Sequence, residues 1–505
     1  MKELQSTIKG AKLPLEKVDT DLLVVPISLS DGSSELSDLN RAAGGEVGRA
    51  LSRGECTGKK YESFIVKTID DSWSADRLLL IGMGEERPFS VSRLRQVASA
   101  AALVGRRCRI NDMAFAVPDS INTEIGVQAV AEGLTLGEFS PDLYKAESDQ
   151  EPSSLRSLQV VSTHDDSELI KNAVARGRIL GECSNLAKRL ANEPGNQLSP
   201  SILAEQALEI LKGTSLEIDV LDEDSIRELG MGLLLGVAQG SVEPPRVIVM
   251  RHEPAGVTDG PVLALIGKGV TFDSGGISLK PAESMERMKE DMSGGAAVIC
   301  AMRAISQLNP SIRVIGIVPT TENMPGGRAV KPGDVLYGAS GTTVEVINTD
   351  AEGRLILADA LWYAMELGAT HLVDVATLTG GCIVALGNTT SGLFGAPDSW
   401  VNTVRDIANQ AGDRVWPMPV FDDYSEQLRS DIADVANVGG RPASAITAAM
   451  FLKRFTDGRP WVHLDIAGTA WSEQNSAHQK KGPTGVAVRT LVELACASDR
   501  WNKIK

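Results

Sequence analysis

Short apolar runs bounded by turn residues recur along this chain and alternate with stretches of helical periodicity, a rhythm that restricts it to an α/β fold. In the first third, apolar runs at 22–27, 64–66 and 78–81 alternate with helical segments such as 91–104, which predicts an N-terminal α/β domain over residues 1–161. One long helix is predicted over 162–190, with Asp165, Asp166 and Glu168 near its start and Pro194-Gly195 beyond its end, and it serves as a linker. Beyond it, residues 191–505 read as helix (201–212), strand (216–221), helix (223–229) and then strands at 246–250, 262–266, 314–318, 372–376 and 462–466. That is the pattern of a doubly wound, mixed-sheet C-terminal domain, and such folds bind ligands at the carboxyl ends of their strands.

Three strand ends carry chemistry. The run 343–347 leads into Asn348-Thr349-Asp350-Ala351-Glu352-Gly353-Arg354-Leu355, with two carboxylates and a guanidinium at alternate positions. On an extended chain Asp350, Glu352 and Arg354 share one face, and Gly353 lets the backbone approach whatever they surround. Acids crowded together repel, so a shared proton or bound cations must relieve them, unless the octapeptide is a surface loop with ordinary charges. Upstream, the run 262–266 enters a glycine-rich turn carrying Lys268 and Asp273, and Thr377-Leu378-Thr379-Gly380-Gly381 follows the run 372–376.

Several other chemistries are excluded by spacing. A phosphate-binding loop at Gly267-Lys268 would need glycine at position 262 and Ser or Thr after the lysine, where Val262 and Gly269 stand. There is no G-x-S-x-G elbow, and His252-Glu253 lacks the second histidine of a zinc protease helix because Gly256 occupies its place. His164, His252, His371, His463 and His478 are therefore read as surface or strand-end residues. The formal charge of −16 and pI near 5.0 argue against a protein whose main task is to coat nucleic acid, although Arg93, Arg95, Arg106, Arg107 and Arg109 offer a candidate basic patch. No secretory leader is read in residues 1–5 and no apolar run reaches the ~18 residues of a membrane span, which predicts a cytoplasmic protein. The six cysteines form no CxxC pair and are read as reduced core thiols.

The segments 262–276 and 348–355, with Lys280, Asp291, 322–328 and 332–335, resemble the leucyl aminopeptidase family of two-metal exopeptidases. The resemblance is densest from 263 to 381. It implies Lys268, Asp273, Asp291, Asp350 and Glu352 as ligands of two divalent ions, for which Zn²⁺, Mn²⁺, Mg²⁺ or Co²⁺ suit an oxygen-rich set without thiolate. The ligand acid is implied as Asp291, before Met292-Ser293-Gly294-Gly295, rather than its neighbour Glu290. A metal-bridging hydroxide is the implied nucleophile, Lys280 the oxyanion-stabilising catalytic residue and Arg354 the second, holding a bicarbonate. Met288, Met292, Thr377, Leu378 and Gly380 are implied to line a pocket for leucine-like side chains at a peptide N-terminus. The family also implies a homohexamer with closed D₃ symmetry, and some bacterial members add a DNA-binding architectural or regulatory role, the rival reading.

Overall fold

The computed structural model describes residues 6–28, 36–85, 90–146 and 155–504, so the leader reading of residues 1–5 lies outside the described residues. The chain forms two compact units, Met1–Asn185 with Glu473–Lys481, and Leu186–Ser472 with Gly482–Lys505. The helix Ser167–Asn192 carries the chain from the first to the second. It starts later than residue 162 because Asp166 caps it, its carboxylate accepting from the backbone N–H of Glu168 and Leu169 at 2.9 and 3.0 Å.

The first unit is built on a six-stranded sheet in the order Thr7–Ala11, Ser157–Val161, Asp112–Ala116, Leu22–Ile27, Arg77–Gly82, Ser63–Lys67, parallel except at the last pair. Its central strands are apolar except at their first residues Asp112 and Arg77, because both faces are covered. Leu22 and Val24 join Leu79 and Ile81 in a core with the helices Val91–Arg107 and Glu124–Leu136, while Leu23 and Ile27 join Leu78 and Leu80 beneath Ser37–Ala42 and Glu46–Arg53. The candidate arginine patch loses two of its five members to the core. Arg95 is buried against Glu132 at 2.6 Å, and Arg106 donates to the carbonyls of Gly137 and Phe139, because the helix carrying them faces the core on more sides than a solvated helix would.

In the second unit nine strands form one mixed sheet. Its order is Val415–Pro417, Ser391–Ala396, Trp461–Asp465, His371–Ala376, Val262–Gly267, Arg313–Asn323, Arg246–His252, Glu217–Leu221, with Gly269–Asp273 paired to the far half of Arg313–Asn323. Val262, Ala264 and Ile266 pack with Leu355, Ile356 and Leu361 of the helix Glu352–Glu366. Leu263 and Leu265 point the other way, toward the helix Ser293–Leu308. The parallel strands at the middle end together, Val375 level with Gly267 and Ala376 level with Asp465. The run expected as a strand over 343–347 is the short Thr343–Glu345, and it belongs to a separate three-stranded sheet with Val335–Tyr337 and Val435–Ala436.

One buried carboxylate ties these layers together. Asp359, 1% exposed, accepts from the backbone N–H of Leu233 and Leu234 at 3.0 Å and of Ala339 at 2.9 Å. Burial pushes its carboxyl up to about 7 against the pull of these three donors. Asp359→Ala strands them, and urea unfolding is expected to show a loss of about 3 kcal/mol, with Asp359→Asn costing less because one acceptor oxygen remains. Equal stability of Asp359→Ala and wild type would refute this role.

Candidate metal centre

The carboxyl ends of the strands converge as the sequence suggests, but by a different local geometry. Residues 350–354 are not extended. A turn closed by Ala351 N–H on the Asn348 carbonyl at 3.2 Å folds Asp350 back, and Glu352 is already the first residue of the helix Glu352–Glu366. A carboxylate in that first turn is favoured by the helix dipole. Gly353 is required at its position because a Cβ there would lie 2.8 Å from Lys268 Nζ. The turn 275–276 is equally constrained: Gly275 and Gly276 have φ of +87° and +67°, and a Cβ on Gly275 would lie 2.7 Å from Asp350 Oδ1.

Lys268, 2% exposed, sits between the strands Val262–Gly267 and Gly269–Asp273, with Nζ 2.7 Å from Asp291 and 2.6 Å from Glu352. It also donates to the Thr377 carbonyl at 3.2 Å, while Thr377 Oγ1 donates to Asp291 Oδ1 at 2.7 Å. Lys280 lies 2.8 Å from Asp273 and contacts Asp350. Asp273, Asp350 and Glu352 bring carboxylate oxygens within 4.8 Å of one another.

Four carboxylates thus face two ammonium groups in a largely buried site, from which Asp350 and Lys280 reach the cleft. Burial, reinforced by Asp273, raises Asp350 and Glu352, and burial likewise raises Asp291. Burial alone would lower Lys268, but Asp291, Glu352 and Asp273 outweigh it and hold the ammonium protonated. Acids whose ionised forms are disfavoured by burial and by one another are relieved by bound cations, so these residues fit a two-metal centre.

Arg354 is buried, donates to the Asn437 carbonyl at 2.7 Å, and has its guanidinium pushed down to about 10 by burial despite Glu352 and Asp465. Met288, Thr377, Leu378 and Gly380 line the same cleft, whose volume is about 1010 Å³, together with Lys268, Lys280 and Arg354. Met292 does not: it is fully buried beside the start of the helix Ser293–Leu308, where a core methionine is what the packing needs. Glu290 pairs with Arg287 at 2.8 Å.

Sequence reasoning missed the residues that orient the ligands. Asn323 closes an eleven-residue strand, and its Nδ2 donates to Asp273 Oδ1 at 2.9 Å and the Thr349 carbonyl at 3.0 Å, with Glu352 Oε2 at 3.4 Å. Thr349 Oγ1 donates to the Gly275 carbonyl at 2.6 Å and accepts from Ser278 N–H at 2.8 Å, locking the two acidic segments together. A polar side chain ending a buried strand was the available signal. His463 is neither on the surface nor at a strand end: it lies in mid-strand, fully buried, 2.5 Å from Asp374, which also accepts from Trp461 Nε1 at 2.6 Å. Burial lowers this imidazole but Asp374 raises it further, while its Nε2 is buried with no hydrogen-bond partner among the described residues.

Family models match the chain twice: the N-terminal domain of the cytosol aminopeptidase family over residues 24–148, and that family's catalytic domain over residues 185–492. A probable cytosol aminopeptidase of Solibacter usitatus is 46% identical over 492 residues, covering 97% of this chain and 99% of its own. One from Acidobacterium capsulatum is 42% identical, covering 95% and 97%. Among solved structures, a tomato leucine aminopeptidase mutant is similar with a TM-score of 0.89 at 31% identity, covering 98% of this chain and 97% of that one. The bottromycin maturation enzyme BotP in complex with Mn has a TM-score of 0.82 at 32% identity, covering 95% and 99%.

Because Asn323 donates to Asp273 and approaches Glu352, Asn323→Ala is expected to weaken divalent-metal affinity about 10- to 100-fold with the fold intact. Calorimetric titration with Mn²⁺, alongside circular dichroism, checks this, and unchanged affinity would remove Asn323 from the centre.

Proposed function

The chain belongs to the cytosol aminopeptidase family and is a metal-dependent aminopeptidase, and from that premise we propose that it releases leucine-like residues from the N-terminus of short peptides in the cytosol. The observation that carries this reading is the convergence of Lys268, Lys280 and four carboxylates on a cleft also lined by Met288, Leu378 and Ile383. Two divalent ions would be held by Asp273, Asp291, Asp350 and Glu352, joined by Lys268 once its amine gives up the proton that these acids hold on it, and would supply a water of lowered pKa and an anchor for a free α-amino group. Manganese is favoured over zinc by the manganese complex of a structural neighbour.

The protein's own residues then divide the work. Lys280 is partly exposed to the cleft and keeps its charge, because Asp273, Glu352 and Asp350 raise it against the effect of burial. A retained ammonium stabilises negative charge developing on the carbonyl oxygen of the scissile bond. Arg354 keeps Nε without a hydrogen-bond partner among the described residues, which leaves a donor for an anion such as bicarbonate able to accept the proton released in the reaction. The apolar lining formed by Met288, Leu378 and Gly380, with Thr377 at its edge, suits an aliphatic side chain. No helix among the described residues is long and apolar enough to cross a membrane. The DNA-binding reading lacks comparable support, since Arg95 and Arg106 are buried.

Assembly as a homohexamer is part of the proposal, resting on the family. A mass near six chains by light scattering is the expected result, and an active monomer would refute it. For the chemistry, Lys280→Ala is expected to retain metal while kcat on a leucyl amide falls about 10²- to 10³-fold. Glu352→Ala is expected to lose both metal and activity. Elemental analysis with steady-state kinetics separates the two outcomes, and a wild-type kcat in Lys280→Ala would sink the assigned role.

A further inference from the structure

At about 1010 Å³ the cleft reaches the upper end of volumes that enclose a drug-sized ligand, more than one amino-acid side chain fills. Its cationic lining residues are Lys268, Lys280, Arg354 and Arg441. The first three are engaged, the lysines with the carboxylate cluster and Arg354 with the Asn437 carbonyl. Arg441 is exposed, and it has no hydrogen bond or ion pair to any described residue.

Its backbone is nevertheless fixed. Asn437 accepts from Arg354 through its carbonyl, accepts from the backbone N–H of Ile347 at 2.8 Å through Oδ1, and donates from Nδ2 to the Asn348 carbonyl at 2.7 Å. Two residues beyond Arg441 the loop passes into the buried helix Ser444–Lys453. Gly440 and Ala443 are held at φ of +89° and +56° on either side of Arg441. Alanine adopts that conformation only where its surroundings impose it. Four residues place the Arg441 Cα at most ~14 Å from that of Asn437. Arg441 lines the same cleft as Lys280 and Leu378, and a tripeptide extended from the metal centre spans ~10 Å of it at ~3.5 Å for each residue.

We propose that Arg441 is a specificity-determining residue that binds a substrate carboxylate downstream of the scissile bond. The assignment rests on the aminopeptidase reading. An exposed guanidinium on a rigid loop presents a planar fork suited to a carboxylate at little entropic cost. Glu283, the other exposed charge of the lining, comes from a separate segment and has the wrong sign for that task. The carboxylate has two sources, the C-terminus of a short peptide or an acidic side chain just after the cleaved bond.

The test uses the full-length, Mn²⁺-loaded protein with three substrates: Leu-Gly-Gly, its C-terminal amide, and Leu-Asp-Gly amide. In the wild type, kcat/KM for Leu-Gly-Gly is expected to exceed that for its amide about fivefold to tenfold, with the difference in KM. Arg441→Ala is expected to bring that ratio close to one, and Arg441→Lys to restore part of it. A ratio near one for the tripeptide pair combined with a preference for the aspartyl substrate assigns the carboxylate to the side chain instead. Equal losses on all three substrates in Arg441→Ala, or an unchanged ratio, overturn the proposal. Failure of the wild type to release leucine from any of the three overturns the aminopeptidase reading itself, a different outcome from either.

Discussion

Everything in the second unit is arranged around the cost of keeping four carboxylates out of water within a few ångströms of each other. Isolated, each buried charge would cost several kcal/mol, and the usual escape is protonation. Here the escape is limited by Lys268 and Lys280, each wedged between two acids, and by amide donors from Asn323 and Gly275 to Asp273. Those contacts demand close backbone approach, which explains where the glycines fall. A Cβ on Gly294 would meet the Val375 carbonyl at 2.0 Å, so the helix Ser293–Leu308 could not come down against the strand ends that present Lys268 and Thr377.

The sheet is what makes such convergence affordable in sequence. Val262–Gly267, His371–Ala376 and Trp461–Asp465 are parallel neighbours, so residues distant in the chain arrive side by side at one edge. Asp465 shows the benefit. From the end of its strand it accepts from Thr379 Oγ1 at 2.7 Å and from Leu378 N–H at 3.3 Å, shaping the cleft floor. Asp273 ends a sheet strand and Lys268 joins two of them, while Asp291, Asp350 and Glu352 come from the turns and helix ends beyond the sheet.

How much of this could be read beforehand follows from the range of each interaction. Strands such as 262–266 and 372–376 were legible because a strand covered on both faces is apolar throughout. Lys268, Asp273 and Asp350 were legible because charged residues at strand ends and in glycine turns are conspicuous. The conformation of 350–354 was misjudged because alternation at three positions cannot distinguish an extended chain from a turn entering a helix. Asn323, Thr349 and Asn437 act through partners 26 to 89 residues away, and no local pattern encodes that distance. Arg95 and His463 look like ordinary polar residues until Glu132 and Asp374 are brought beside them.

The strand Trp461–Asp465 lies between His371–Ala376 and Ser391–Ala396, so one of the last strands to be synthesised fills the middle of the sheet. On the ribosome Lys268, Asp273, Asp291, Asp350 and Glu352 all emerge before that strand, and the edge of His371–Ala376 that it covers stays open until residue 465 is free. A nascent or prematurely terminated chain consequently holds the acids without the closed sheet that aligns them. Closure of the sheet over that edge therefore waits on the synthesis of residue 465.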